Sequence, residues 1–242
     1  MSSAAENAPT VSDTDTPTLT PPLTPTPVLT PTPNPSPQGG GERGRKPGRA
    51  WQRMLSGRRL DLLNPDPDDI AIEDIAHGLA RVARWNGQTV GAHAFSVAQH
   101  TLMVEMIARE GRDDWDRDWQ LAALLHDAAE YVVGDLISPF KTAIGLDYKA
   151  FEIRLMEAIH ARFGLPAKLP PDIAAHIKQA DTIAAYYEAT LLAGFTAAEA
   201  ELYFGRPNGL SASTTTVLEN LTPLPAEIAQ HSFLQRHGQL TI

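Results

Sequence analysis

Eleven of the chain's 20 prolines fall within its first 48 residues, and that crowding limits what can fold more than any other feature of the sequence. The stretch PTLTPPLTPTPVLTPTPNPSPQGGGERGRKPG has no apolar periodicity, and its Pro-Thr repeats favour extended, solvated backbone over helix or sheet. Residues 1–48 are therefore expected to be a disordered tail, and residues 49–242 one folded domain. Apolar residues make up 43% of the chain, enough to bury a core there.

Charge and cysteine usage narrow the function. The net charge is −9, and the tail contributes little of it, so the folded part is acidic. That argues against nucleic-acid polymers, for which a basic face supplies most of the affinity. Without cysteine there is no disulfide, thiolate zinc site or cysteine nucleophile. MSSAAENAPT lacks a basic segment followed by an apolar one, and no run of 18 apolar residues occurs. The expectation is a cytoplasmic protein with no membrane partner.

From residue 68 onward the apolar residues recur at helical spacing. RAWQRMLSGRR reads as a surface lead-in to the domain, and LLNPDPDD as a turn. IAIEDIAHGLARVARW puts Ile70, Ile75, Leu79 and Val82 on one face, although Gly78 weakens a helix there. Ser96 and Gln99 have the spacing of a capping box with Phe95 as its staple, which starts a helix running to about Arg109. WDRDWQLAALLHDAAEYVV reads as one long helix ended by Gly134, and GDLISPFK as a loop. Asp147 is placed to cap DYKAFEIRLMEAIHARF, and Pro170-Pro171 to open DIAAHIKQADTIAAYYEATLLAG. Beyond Gly205 one short helix is expected, from Ala226 to His237. Nothing alternates over a strand length, so the fold class is all-α, a helical bundle.

Strongly polar residues fall on or beside the inward faces: His100, the adjacent His126 and Asp127, and Asp181. Asp181 lies one turn from Ile177 and Ala184, and a carboxylate buried there needs a cation. Lys178, the basic residue at hand, sits on a flank. Two imidazoles and two carboxylates would suit Zn, Mn, Fe or Co. Unrelated buried polar residues with local partners would satisfy the same pattern. Glu130, four residues beyond His126, would stand one turn along the same face, where a general acid or base could meet a metal-bound water. His160 and His176 read as surface residues.

FSVAQH, LLHDAAEYVVGDLISPFK and KQADTIAAYYEA, in that order, resemble the HD-domain phosphohydrolases, named for their adjacent His and Asp. The likeness covers roughly residues 68–195 and is greatest to the bacterial 5'-deoxynucleotidases and the phage deoxyadenosine triphosphate triphosphohydrolases. It implies an HD-domain helical bundle holding one divalent metal ion (Mn, Co, Zn, Fe or Mg) through His100, His126, Asp127 and Asp181. It makes Glu130 and Asp135 catalytic, brings Lys141 to a phosphate, and assigns Arg84 and Trp85 to the nucleotide. The implied reaction is hydrolysis of a deoxynucleoside monophosphate. A triphosphohydrolase would share every one of these residues, and a non-enzymatic regulatory HD module would keep the metal ligands. Tyr131 replaces the second acid of the alarmone hydrolases, and the GYP motif of the cyclic dinucleotide phosphodiesterases is missing. A homodimer is implied by analogy only.

Overall fold

Three-residue strands are too short to show a periodicity, and two of them open the domain. The computed structural model describes residues 50–112, 114–135 and 146–241. The tail expected over residues 1–48, and Lys141, lie outside them. Trp51–Arg53 (β1) pairs antiparallel with Arg59–Asp61 (β2) where a surface lead-in was expected. Gly57, at φ 88°, turns the chain between them, and the Asp74 carboxylate accepts from the Ser56 N–H at 2.9 Å and from its hydroxyl at 2.5 Å. Leu60 is fully buried, so the hairpin is anchored to the core.

Besides two short 3-10 turns, Pro67–Asp69 and Arg84–Gly87, the other regular elements among the described residues are α-helices: α1 (Ile72–Leu79), α2 (Val97–Ala108), α3 (Arg117–Leu124), α4 (Glu130–Val133), α5 (Leu146–Arg162), α6 (Pro171–Leu191), α7 (Ala197–Phe204), α8 (Ala212–Glu219) and α9 (Ala226–Leu240). Most are too short to persist alone, so burial of their apolar faces must hold them. α2 packs between α3 and α6, α9 lies across α1, α2 and α3, and α1 meets α4. Phe95 and Phe233 are completely buried, worth about 1.5–3 kcal/mol each on the usual transfer scale.

Local signals set several helix starts. Ser96 accepts from the Gln99 N–H at 3.3 Å and Asp116 from the Trp119 N–H at 3.1 Å. Only half of the box expected at Ser96 forms, because the Gln99 amide is spent elsewhere. It donates to the Thr222 carbonyl and accepts from the Leu224 N–H, tying down the segment before α9. α5 opens at Leu146, and the side chain of Asp147, expected as its cap, lies outside the described residues. Helices α7 and α8 were not anticipated, although Thr196 and Glu199 form a complete capping box and Ser211 caps α8.

The largest departure is the expected helix over residues 115–133. It stops at Leu124 and resumes only for Glu130–Val133. Between them, Ala128 N–H bonds to Leu125 and Glu130 N–H to Asp127, spacings of three rather than four residues. The His126 ring takes the Ala123 carbonyl at 2.9 Å, which the Asp127 N–H would claim in a continuous helix. The His-Asp pair thus sits in a tight turn.

Candidate metal centre

His100 is the fourth residue of α2 and has no exposed surface; the α3–α4 turn supplies His126 and Asp127, and the middle of α6 supplies Asp181. These elements bring His100, His126 and Asp181 together, with one ligand atom from each lying within 4.8 Å of the other two. Asp127 Oδ2 adjoins them, 3.4 Å from His100 Nε2 and 3.3 Å from His126 Nε2, and Asp181 Oδ1 is 3.4 Å from His100 Nε2. Such distances exceed the usual hydrogen-bond range of about 2.7–3.2 Å. They match two donors each about 2.0–2.2 Å from a shared ion.

The imidazoles are oriented for that role. His100 Nδ1 donates to Glu188 Oε1 at 2.5 Å, and His126 Nδ1 to the Ala123 carbonyl at 2.9 Å. A carboxylate and a carbonyl can only accept, so both rings carry hydrogen on Nδ1 and turn Nε2 to the cluster. Both Nε2 atoms are buried without a hydrogen-bond partner among the described residues.

Charge points the same way. Asp127, Asp135, Asp181 and Glu188 face the partly buried Arg84 and the exposed Lys178, an excess of two negative charges. Burial and the Arg84 guanidinium work against a proton on His100, yet Glu188, Asp127 and Asp181 hold its imidazole well above the usual histidine range. Burial likewise opposes ionised Asp127 and Asp181, but His126 and His100 hold Asp127, and His100 holds Asp181, well below the usual carboxylate range. A site that retains a proton among carboxylates is one where a divalent cation can replace it.

The family described as 5'-deoxynucleotidase YfbR-like matches residues 77–194, a span that contains all four of these residues. An uncharacterised protein of Rhodobacter capsulatus is 60% identical over 192 residues, covering 79% of this chain and 96% of that protein. The chain belongs to the YfbR-like family of HD-domain proteins. YfdR, an uncharacterised protein of Escherichia coli K12, is 30% identical to this YfbR-like chain over 131 residues, 54% of the chain and 66% of YfdR. The family is one of HD-type hydrolases, a class that uses divalent metals. No helix among the described residues is long and apolar enough to cross a membrane.

The other expected residues of this YfbR-like chain distribute around the cluster. Arg84 reaches in, with Nη1 3.5 Å from Asp135 and 3.9 Å from Asp127. Its Nε and Nη2 bond to Glu188 Oε2 at 3.2 and 3.1 Å. Trp85 donates its indole N–H to the same oxygen at 2.8 Å and packs edge-on against Phe195 and Phe204. Asp135 pairs with Arg84 just beyond α4. Glu130 is 2% exposed at the first position of α4, outside the converging set. Because the helix breaks, its place follows from the turn and not from the one-turn spacing expected. Lys178 proves to be a partner of Asp181, Nζ to Oδ2 at 2.6 Å, where the sequence left that carboxylate without a cation. His160 and His176, expected at the surface, are drawn inward: His160 is 5% exposed and bonds to the Pro166 carbonyl, and His176 bonds to Ala108 and packs on Trp115. Sequence reasoning missed Glu188, although it follows Asp181 by seven residues, two turns along the same face of α6.

Proposed function

We propose that the chain is a metal-dependent 5'-nucleotidase, hydrolysing a deoxynucleoside monophosphate to the deoxynucleoside and orthophosphate. The observation that carries this is the convergence of the His100, His126, Asp127 and Asp181 donor atoms beside the Arg84 guanidinium. These four residues would hold one divalent ion, Mn, Co, Zn, Fe or Mg, which neutralises phosphate charge and lowers the pKa of a bound water.

The remaining steps fall to the chain's own groups. In the reaction a water oxygen bonds to phosphorus, the bond from phosphorus to the 5' oxygen breaks, and that oxygen gains a proton. Glu130, buried and next to the turn that carries the ligands, takes the proton from the attacking water. Asp135 holds Arg84 Nη1 toward Asp127, where the guanidinium meets the phosphate. Lys141 offsets developing negative charge. Trp85 lines the nucleotide side of the site.

Purified protein incubated with nucleoside mono- and triphosphates in Mn, Co, Mg or Zn, with a chelator control, tests this. Orthophosphate from deoxynucleoside monophosphates, lost in Glu130→Ala and with chelator, is the expected result. Intact tripolyphosphate from triphosphates would replace the reading with a triphosphohydrolase. Release of neither, or full activity in Glu130→Ala, would overturn it.

A further inference from the structure

Glu188 is completely buried, and its two oxygens are divided between two jobs. Among the described residues Oε1 accepts from His100 Nδ1, and Oε2 accepts from Arg84 Nε, Arg84 Nη2 and Trp85 Nε1. Burial alone would raise the pKa of this carboxyl, but Arg84 and His100 hold it down at about 2. The segment it gathers is strained. Trp85 and Asn86 are the non-glycine residues with positive φ among those described, at 56° and 50°, a left-handed conformation in which the Cβ of a tryptophan crowds its own backbone. Arg84 N–H to Phe95 and Val97 N–H to Val82 brace that segment against the start of α2. The strain is tolerated where it delivers the Arg84 and Trp85 donors to one oxygen.

We infer that Glu188 is the positioning residue of this site, fixing the His100 tautomer for metal binding with one oxygen while anchoring the Arg84-Trp85 segment with the other. The inference rests on the metal site proposed above. It gives Glu188 no contact with substrate or reacting atoms; it acts through His100, Arg84 and Trp85.

Glu188→Gln separates the two jobs, because the amide has one acceptor where the carboxylate has two. With its oxygen toward His100, the NH2 group confronts the Arg84 and Trp85 donors. With its oxygen toward Arg84 and Trp85, the NH2 group faces His100 Nδ1, which must then accept, and the hydrogen moves to Nε2, where it blocks coordination.

The test is Mn(II) titration calorimetry on metal-stripped full-length wild type, Glu188→Gln, Glu188→Asp and Glu188→Ala, with folding checked by circular dichroism and KM and kcat measured at saturating Mn. Expected are about 10–100-fold weaker Mn binding in Glu188→Gln, a raised KM for deoxynucleoside monophosphate that persists at saturating Mn, and partial recovery of both in Glu188→Asp. If Glu188→Ala does not fold, the near-isosteric Gln variant decides. Wild-type Mn affinity and KM in Glu188→Gln, with or without a lowered Tm, would overturn the inference by reducing Glu188 to a structural role. A wild type that binds Mn but hydrolyses no nucleotide would refute the proposed activity, and the Mn affinities would still decide the role of Glu188.

Discussion

Gly78→Ala separates what a helix wants from what this packing allows. Gly78 lies in α1 with ordinary helical φ, so propensity alone makes alanine stabilising by up to about 1 kcal/mol. A Cβ at that position, however, would stand 2.8 Å from Tyr131 Cβ, 3.0 Å from its carbonyl oxygen and 3.1 Å from its Cα. These are backbone and root atoms of α4 and cannot swing aside, so the two helices must separate. Overpacking of this kind costs about 1–3 kcal/mol; against atoms that cannot yield, the upper part of that range, about 2–3 kcal/mol, applies, so after a propensity gain of about 1 kcal/mol the net loss is about 1–2 kcal/mol. For a domain of this size the Tm should fall by roughly 2–8 °C in differential scanning calorimetry. Tyr131 follows Glu130 directly, so kcat should drop several-fold as well, displacement of a reacting group by about 1 Å being costly. Gly238→Ala is the control: it lies in α9 with nothing within 4 Å of an added Cβ, and should raise Tm slightly. A Gly78→Ala protein as stable as wild type, or more so, would refute the argument.

Arg236 binds the buried Glu105 through Nε at 3.1 Å and Nη2 at 2.6 Å, so Arg236→Ala should cost about 2–4 kcal/mol in urea denaturation, with the half-exposed Arg109 as a weak substitute partner. Asp181→Ala should lose most of its bound metal by elemental analysis, and unchanged content would remove Asp181 from the ligand set. Burial holds His160 and His237 below the usual histidine range, so the unfolded chain takes up protons first as pH falls through about 6.5. Their contribution to stability is complete above that pH and declines below it, toward their folded-state values. His160→Gln, which can still donate to Pro166, should therefore flatten the loss of stability between pH 7 and 5.5; an unchanged slope would contradict this.

The capping signal at Ser96 and the 3-4 spacing along α2 and α6 were legible because each depends on residues within a turn or two. The same locality made His100, His126, Asp127 and Asp181 visible as polar residues on inward faces. The Thr196-Glu199 box that starts α7 is equally local. The β1–β2 hairpin was not legible, because three-residue strands carry no period and the hairpin is held by Asp74 and buried Leu60. The break at residues 125–129 was hidden for another reason: LLHDAAEYV contains no breaker, and what stops the helix is a histidine ring bonding a carbonyl.

The sequence by itself determined a helical class, because apolar spacing of three and four residues commits each segment before any contact forms. It also determined which residue types the site has to work with. Only the tertiary structure decided how they are used: that the His-Asp pair stands in a turn, that Gly78 is a contact surface and not a flaw, and that Glu188 is shared by His100, Arg84 and Trp85. Those outcomes depend on which groups from distant segments reach the same few ångströms of buried space, where an unmatched charge or donor is too costly to leave alone.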